Sequence, residues 1–167
     1  MQIRAETAED RVAVHAVNIS AFETAAEANL VSNLRNQATP IVSLVADREG
    51  EIVGHIMFSP VSLSGCADTN MMGLGPMAVI PEQQGKGIGS ALVQKGLEQC
   101  KQLGITAVVV LGHPDYYPRF GFSPSSEFGI NSEYDVPKEV FMIMELAPKA
   151  LSGKGGIAKY HAAFSDV

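Results

Sequence analysis

The chain has 167 residues, of which 46% are hydrophobic and 18% charged, with a formal net charge of −6. Such a length suits one domain with a sizeable core, the balance excludes a disordered chain, and the acidic excess argues against nucleic acid as a partner. The two cysteines, Cys66 and Cys100, lack metal-ligand spacing. Neither a signal-peptide pattern nor an apolar run of about 20 residues is present, so the expected setting is a reducing cytoplasm without membrane attachment.

Residues 1–5 read as a first strand. Thr7 and Asp10 resemble a capping box opening a helix over 8–20, with His15 expected at the edge of the core. Ala28, Val31 and Leu34 recur at i, i+3, with Leu30 beside them, and place a second helix within 21–36 that Thr39-Pro40 ends. The two helices are expected to form a flap over a pocket. Residues 41–46 are rich in β-branched side chains, Asp47-Arg48-Glu49-Gly50 is a turn, and 51–61 resumes as strand, giving an antiparallel hairpin. Both faces of that second strand are apolar, as in a central strand. Residues 62–70 read as a polar loop.

The next strand, 71–80, contains Gly73, Gly75 and Pro76. Proline cannot donate to a ladder and interior glycine marks a bulge or a close approach, so a bend is expected at its middle. Beyond the bend, backbone groups of Met77 and Val79 would be free to pair with something other than a strand. After a turn at 81–84 a helix is expected over 85–103, burying Leu92, Gly96, Cys100 and Leu103 beside Val93 and Leu97, with Gly104 as its C′ cap. Its first turn carries Gly85, Gly87 and Gly89. Unpaired N–H groups and the dipole make such a helix start a site for phosphate, and glycines let it reach the backbone. The apolar run 105–111 completes a βαβ unit. Residues 115–122 form a short helical turn leading into a strand, 123–138 are mostly loop, and 140–146 are a last strand. One domain over 1–147 is expected, with a tail, 148–167, packed on it through Ile157, Tyr160 and Phe164 in a helical turn.

Gln84-Gly85-Lys86-Gly87-Ile88-Gly89 is similar to the Gln/Arg-x-x-Gly-x-Gly/Ala signature of the GCN5-related N-acetyltransferases, the GNAT family. The stretches 27–35, 58–61, 75–79, 111–122 and 160–164 resemble its bacterial YhbS-like branch. A dinucleotide fingerprint is disfavoured because Ser90 stands where its third glycine would be, and a P-loop because Gly87 follows Lys86. The resemblance implies an α/β GNAT fold: a mixed, mostly antiparallel sheet with a parallel βαβ acyl-CoA-binding core and a bulged strand. It also implies acetyl-CoA as cosubstrate, with no metal. Gln84, Gly85, Lys86, Gly87, Ile88, Gly89 and Ser90 would hold the pyrophosphate. Met77, Ala78 and Val79 would pair with the pantetheine arm and polarise the thioester carbonyl.

The implied reaction is direct attack by a primary amine, on a small molecule or a peptide, within a ternary complex. Tyr117, four residues before Gly121, matches the family's proton donor to the departing thiolate; the alternative is a packing residue at the channel rim. Family members often carry a glutamate on the bulged strand, but 70–80 holds no carboxylate. Glu27 is the candidate base acting through water, and Glu23, His55 and His113 are further candidates. Glu27 as a solvated or substrate-orienting carboxylate stays open. So does a non-catalytic acyl-CoA-binding sensor that would need no Tyr117. A homodimer is compatible with the fold.

Overall fold

The structure is a computed structural model describing residues 1–166; Val167, the end of the expected tail, lies outside the described residues, as do the side chains of Ala67, Asp68 and Asp166. In chain order the elements are β1 (Gln2–Ala5), α1 (Arg11–Ala21), α2 (Ala26–Gln37), β2 (Val42–Arg48), β3 (Glu51–Leu63), β4 (Cys66–Val79), α3 (Ile88–Gln102), β5 (Ala107–Leu111), β6 (Ser123–Pro124), β7 (Ile130–Ser132), β8 (Phe141–Glu145) and β9 (Gly156–Tyr160). The described strands form one sheet in the order β1-β2-β3-β4-β5-β8-β6, with β9 pairing both β3 and β7. Antiparallel pairs dominate, and β4–β5 is parallel, joined through α3.

Alternation along the strands divides the helices between the two faces. On one face Leu44, Ala46, Ile56 and Phe58 meet Leu92, Val93 and Leu97 of α3. Full burial of a leucine or valine there is worth roughly 1.5–3 kcal/mol. Gly96 lets α3 approach closely, since a Cβ there would come 2.6 Å from Phe58 Cζ. On the other face Val45 and Met57 meet Val14, Leu30, Val31 and Leu34 of α1 and α2.

The expected capping box forms: the Thr7 N–H donates to Asp10 Oδ2 at 2.7 Å, and Arg4 pairs with the same carboxylate. The hairpin turn has Glu49 and Gly50 at φ 53 and 89, the double-positive pattern of a tight primed turn. Helix α3 closes as a Schellman motif, with Ile105 N–H donating to Cys100 O and Gly104 N–H to Lys101 O.

Several expectations need correction. Residues 62–70 are not a loop: β3 runs to Leu63 and β4 starts at Cys66, around a turn at Ser64 and Gly65. The tail is not simply a helical turn. Its β9 takes the edge of β3 where β2 ends, pairing Val61 with Tyr160, and a short 3-10 turn follows. Helix α3 begins at Ile88, because Gly85 and Gly87 adopt positive φ (76 and 84). His15 is exposed and so is Leu103, each on the outer side of its helix.

Candidate active site

The site opens where β4 leaves β5. The parallel pairing runs from Met71↔Ala107 to Leu74↔Val110 and stops there. On its other side β4 stays paired with β3, but Phe58 opposes Leu74 while Ile56 opposes Met77, so one extra residue is accommodated at Gly75-Pro76. Gly75 has φ 140, a value only glycine adopts readily. The expected bend is therefore a bulge that parts two neighbouring strands.

Backbone direction decides which groups face the gap. The Ile80 N–H donates to Val53 O at 3.0 Å. Strand alternation then turns Ala78 toward β3 and the N–H groups of Met77 and Val79 toward the gap. Ala78, 3% exposed, has its backbone directed into the β3 ladder. The Val79 carbonyl is occupied: Gln84 Nε2 donates to it at 2.9 Å. Gln84 thus fastens the glycine loop to the strand through its side chain.

The glycine loop and α3 form the second wall. Ala91 is the residue whose N–H first bonds within the helix, to Gly87 O at 3.1 Å. The N–H groups of Ile88, Gly89 and Ser90 therefore belong to the open first turn. A Cβ at Gly85 or Gly87 would meet nothing within 4 Å, so the backbone is bare to an incoming phosphate. Ile88 itself is 4% exposed and packs into the core, leaving only its backbone for a ligand. Ser90 Oγ is hydrogen-bonded to Tyr116 Oη at 2.9 Å. Arg48, which no sequence signal pointed to, joins Lys86 beside this loop: Arg48 Nη1 donates to Gln83 Oε1 at 2.7 Å, and Lys86 Nζ reaches the same oxygen at 3.5 Å. The Arg119 guanidinium lies 4.5 Å from the Tyr116 ring centroid.

A cavity of about 740 Å³ extends through the gap and brings Met77, Glu27, His113 and Tyr117 to one space. Tyr117 is 8% exposed, and burial, then the neighbouring Tyr116, pushes its phenol up to about 12. The ring rests on Gly112, where a Cβ would come 2.5 Å from Cε2. Tyr116, by contrast, is committed to Ser90, which separates the two adjacent tyrosines. Glu27 is half-buried at the rim, and the ion pairs Arg4–Asp10, Arg4–Asp47, Arg35–Glu6 and Lys95–Glu98 leave it out. Glu23 is exposed and does not line the cavity.

His55 is not in the site. It is fully buried, and its ring nitrogens face Asn18 Nδ2 at 3.3 Å and Ser43 Oγ at 2.9 Å. Ser43 donates onward to Glu6, which Arg35 pairs. Burial, then the Arg35 charge, lowers the imidazole to about 3, so it is neutral and structural. Among the described residues no group of three or more His, Cys, Asp or Glu could hold a metal, and no helix is long and apolar enough to cross a membrane.

The acetyltransferase (GNAT) family model matches residues 7–122. An uncharacterized N-acetyltransferase of Escherichia coli K12, YhbS, is 36% identical over 166 residues, covering 99% of each chain. Another from that strain, YjhQ, is 38% identical over 151 residues, covering 86% of this chain and 83% of its own. The crystal structure of E. coli YhbS in complex with CoA superposes with a TM-score of 0.92 at 35% identity, covering 98% of this chain and 91% of that one. A GNAT family acetyltransferase from Brucella melitensis in complex with acetyl-CoA gives 0.80 at 34% identity, covering 98% and 97%.

Proposed function

The chain belongs to the GNAT family of acetyltransferases, and we propose that it moves an acetyl group from acetyl-CoA to a primary amine by direct attack in a ternary complex. The observation that carries this reading is the free edge of β4 at Met77 and Val79, set beside the open first turn of α3. One surface suits an extended amide-bearing arm and the other its phosphates.

The amine nitrogen forms a bond to the thioester carbon, the carbon–sulfur bond breaks, and the sulfur leaves with the electron pair. A Met77 or Val79 N–H stabilises the oxyanion, an interaction worth about 3–4 kcal/mol when well aimed. Tyr117 gives its hydroxyl proton to the sulfur, and the surplus ammonium proton leaves through water to Glu27, restoring the phenol by way of solvent. A phenol at about 12 is a weak donor to a solvated thiolate of pKa about 8.5. The thiolate does not form in solvent, however. A thiolate leaving beside the buried Tyr117 ring is itself partly desolvated, which raises its affinity for the phenol's proton.

Calorimetric titration with acetyl-CoA, followed by free-thiol release across an amine panel, tests the reading. Binding with turnover that falls at least about tenfold in Tyr117→Phe supports it. Binding without turnover of any amine would leave an acyl-CoA-binding sensor, and no binding at millimolar ligand would overturn both.

A further inference from the structure

A second cavity, of about 380 Å³, shares no lining residue with the one at the parted strands. It opens where the chain leaves β1. Arg11 at the start of α1 and Arg35 in the last turn of α2 stand on its walls, and residues 41–44, entering β2, line it between them. Gln99 near the end of α3 and Leu103 just past it close the remaining side. The volume suits a small metabolite.

Its polar groups leave a surplus of cationic donors. The lining holds two arginines and one carboxylate, Glu6, so it carries one net positive charge on a chain of net charge −6. Glu6 is already satisfied: Arg35 Nε and Nη2 donate to its two oxygens at 3.3 and 2.6 Å, and Ser43 Oγ donates at 3.0 Å. The neighbouring Asp10 faces Arg4 and Thr7 instead. Among the described residues, no group accepts from Arg35 Nη1, and Arg11 has neither a hydrogen-bond nor an ion-pair partner. The Arg35 side chain is only 13% exposed, yet Nη1 is not sealed from the cavity. One edge of the guanidinium fork holds Glu6, and the other is open to a second carboxylate. The rest of the lining is largely aliphatic. Val42 and Leu44 are buried beneath it, while Leu103, which the helical pattern placed in the core, is 52% exposed at the mouth.

We propose that this cavity binds a small aliphatic monocarboxylate, its carboxylate between Arg11 and the open edge of Arg35 and its hydrocarbon chain against Ile41 and Leu103. One negative charge matches the surplus of one positive charge. An amino acid is disfavoured, because its ammonium would meet two arginines and a carboxylate whose oxygens are already engaged. A neutral amide lacks the charge-assisted bonds. The site stands apart from the gap where acetyl transfer is placed, so it does not depend on that reading.

The test titrates the full chain with 4-methylpentanoate, 4-methylpentanamide and L-leucine, which share one carbon skeleton, and follows binding by calorimetry. The carboxylate is expected to bind at least about tenfold more tightly than either of the others. Arg11→Gln, at an exposed position, is expected to weaken 4-methylpentanoate about tenfold, and Leu103→Ser about threefold, with little change in the thermal midpoint of either variant. Glu27→Gln, in the other cavity, is expected to leave that affinity unchanged. Absence of binding at about 10 mM 4-methylpentanoate overturns the inference, as does equal affinity for the amide or for leucine. An affinity that neither Arg11→Gln nor Leu103→Ser alters, or that Glu27→Gln shifts, puts the ligand elsewhere and overturns it as well.

Discussion

Gly112→Ala is the most discriminating perturbation of the proposed acid, because it touches Tyr117 without altering its chemistry. The new Cβ would stand 2.5 Å from Tyr117 Cε2 and 3.1 Å from Cδ2. Ordinary contact begins near 3.4 Å, so the ring must retreat by roughly 1 Å. Gly112 has no positive φ, so the alanine backbone is unstrained and the effect is steric. The ring has little room: Tyr116 and Phe122 pack edge-on at centroid distances of 5.0 and 5.8 Å. Overpacking of this kind costs about 1–3 kcal/mol. At about 2–4 °C per kcal/mol for a chain of this size, Tm is expected to fall by roughly 2–12 °C. A misplacement of about 1 Å at a reacting group can cost about 100-fold in rate. The assay is kcat by thiol release with a thermal melt, in a double-mutant cycle with Tyr117→Phe. Gly112→Ala is expected to lower kcat steeply in the parent and by less than about twofold once the hydroxyl is gone. An equal loss in both backgrounds, or none in the parent, would refute the idea that Gly112 acts by seating the Tyr117 hydroxyl.

Three further outcomes follow from the geometry. Gly96→Ala drives a methyl into the fully buried Phe58 ring between α3 and the sheet; a loss of about 1–3 kcal/mol is expected in denaturant melts, partly restored by Phe58→Leu. His55 has a folded pKa lowered to about 3 by burial and Arg35, so its contribution to stability is present above the unfolded value near 6.5 and is lost as pH falls from there toward the folded value. The local slope is up to about 1.4 kcal/mol per pH unit, and His55→Gln is expected to flatten the melts in that window while leaving thiol release per folded molecule unchanged; a slope that persists in the variant would contradict the assignment. Because Tyr117 is held near 12, log kcat/KM against pH is expected to rise with the amine's own deprotonation and show no descending limb below about pH 10; a fall in that range would show a catalytic acid that loses its proton earlier.

The bulge in β4 and the open start of α3 were legible because their physics is local. Gly75-Pro76 forces a bulge wherever it sits in a strand, and glycines before a helix announce an open helix start. The segment after β8 was not. In β9 the small Ala158 faces inward at 3% exposure while Ile157 faces out at 41%, the inverse of the usual alternation. The spacing of Ile157, Tyr160 and Phe164 imitates a helix, and only pairing with the distant β3 and β7 makes residues 156–160 a strand. The loop expected at 62–70 was avoidable, since Ser64-Gly65 is itself a turn signal and Gly65 adopts φ 80. The Arg48–Gln83–Lys86 cluster joins a hairpin tip to the glycine loop, a contact no local pattern contains. Gly112 follows the apolar run 105–111 with no local signal of its own; its role as the seat of Tyr117 exists only once the following turn folds back.

The parted strands also bear on the proposed direct transfer, which uses no covalent intermediate. The sheet separates two sides, with α3 and the glycine loop on one face and α1, α2 and the Ala163 and Phe164 segment after β9 on the other. Reactants approaching from opposite faces meet only where β4 and β5 diverge beyond Leu74 and Val110. A protein nucleophile would have to stand in that gap, and neither cysteine does. Cys66 begins β4 near Gly155, and Cys100 is fully buried in α3 against Met72, its thiol pushed up to about 12. What borders the gap is backbone N–H, the Tyr117 phenol, the His113 imidazole and the Glu27 carboxylate on the rim. Those groups can align an amine and a thioester and redistribute protons, but they offer no thiolate to carry the acyl group, so the architecture itself favours a single direct transfer across the opening.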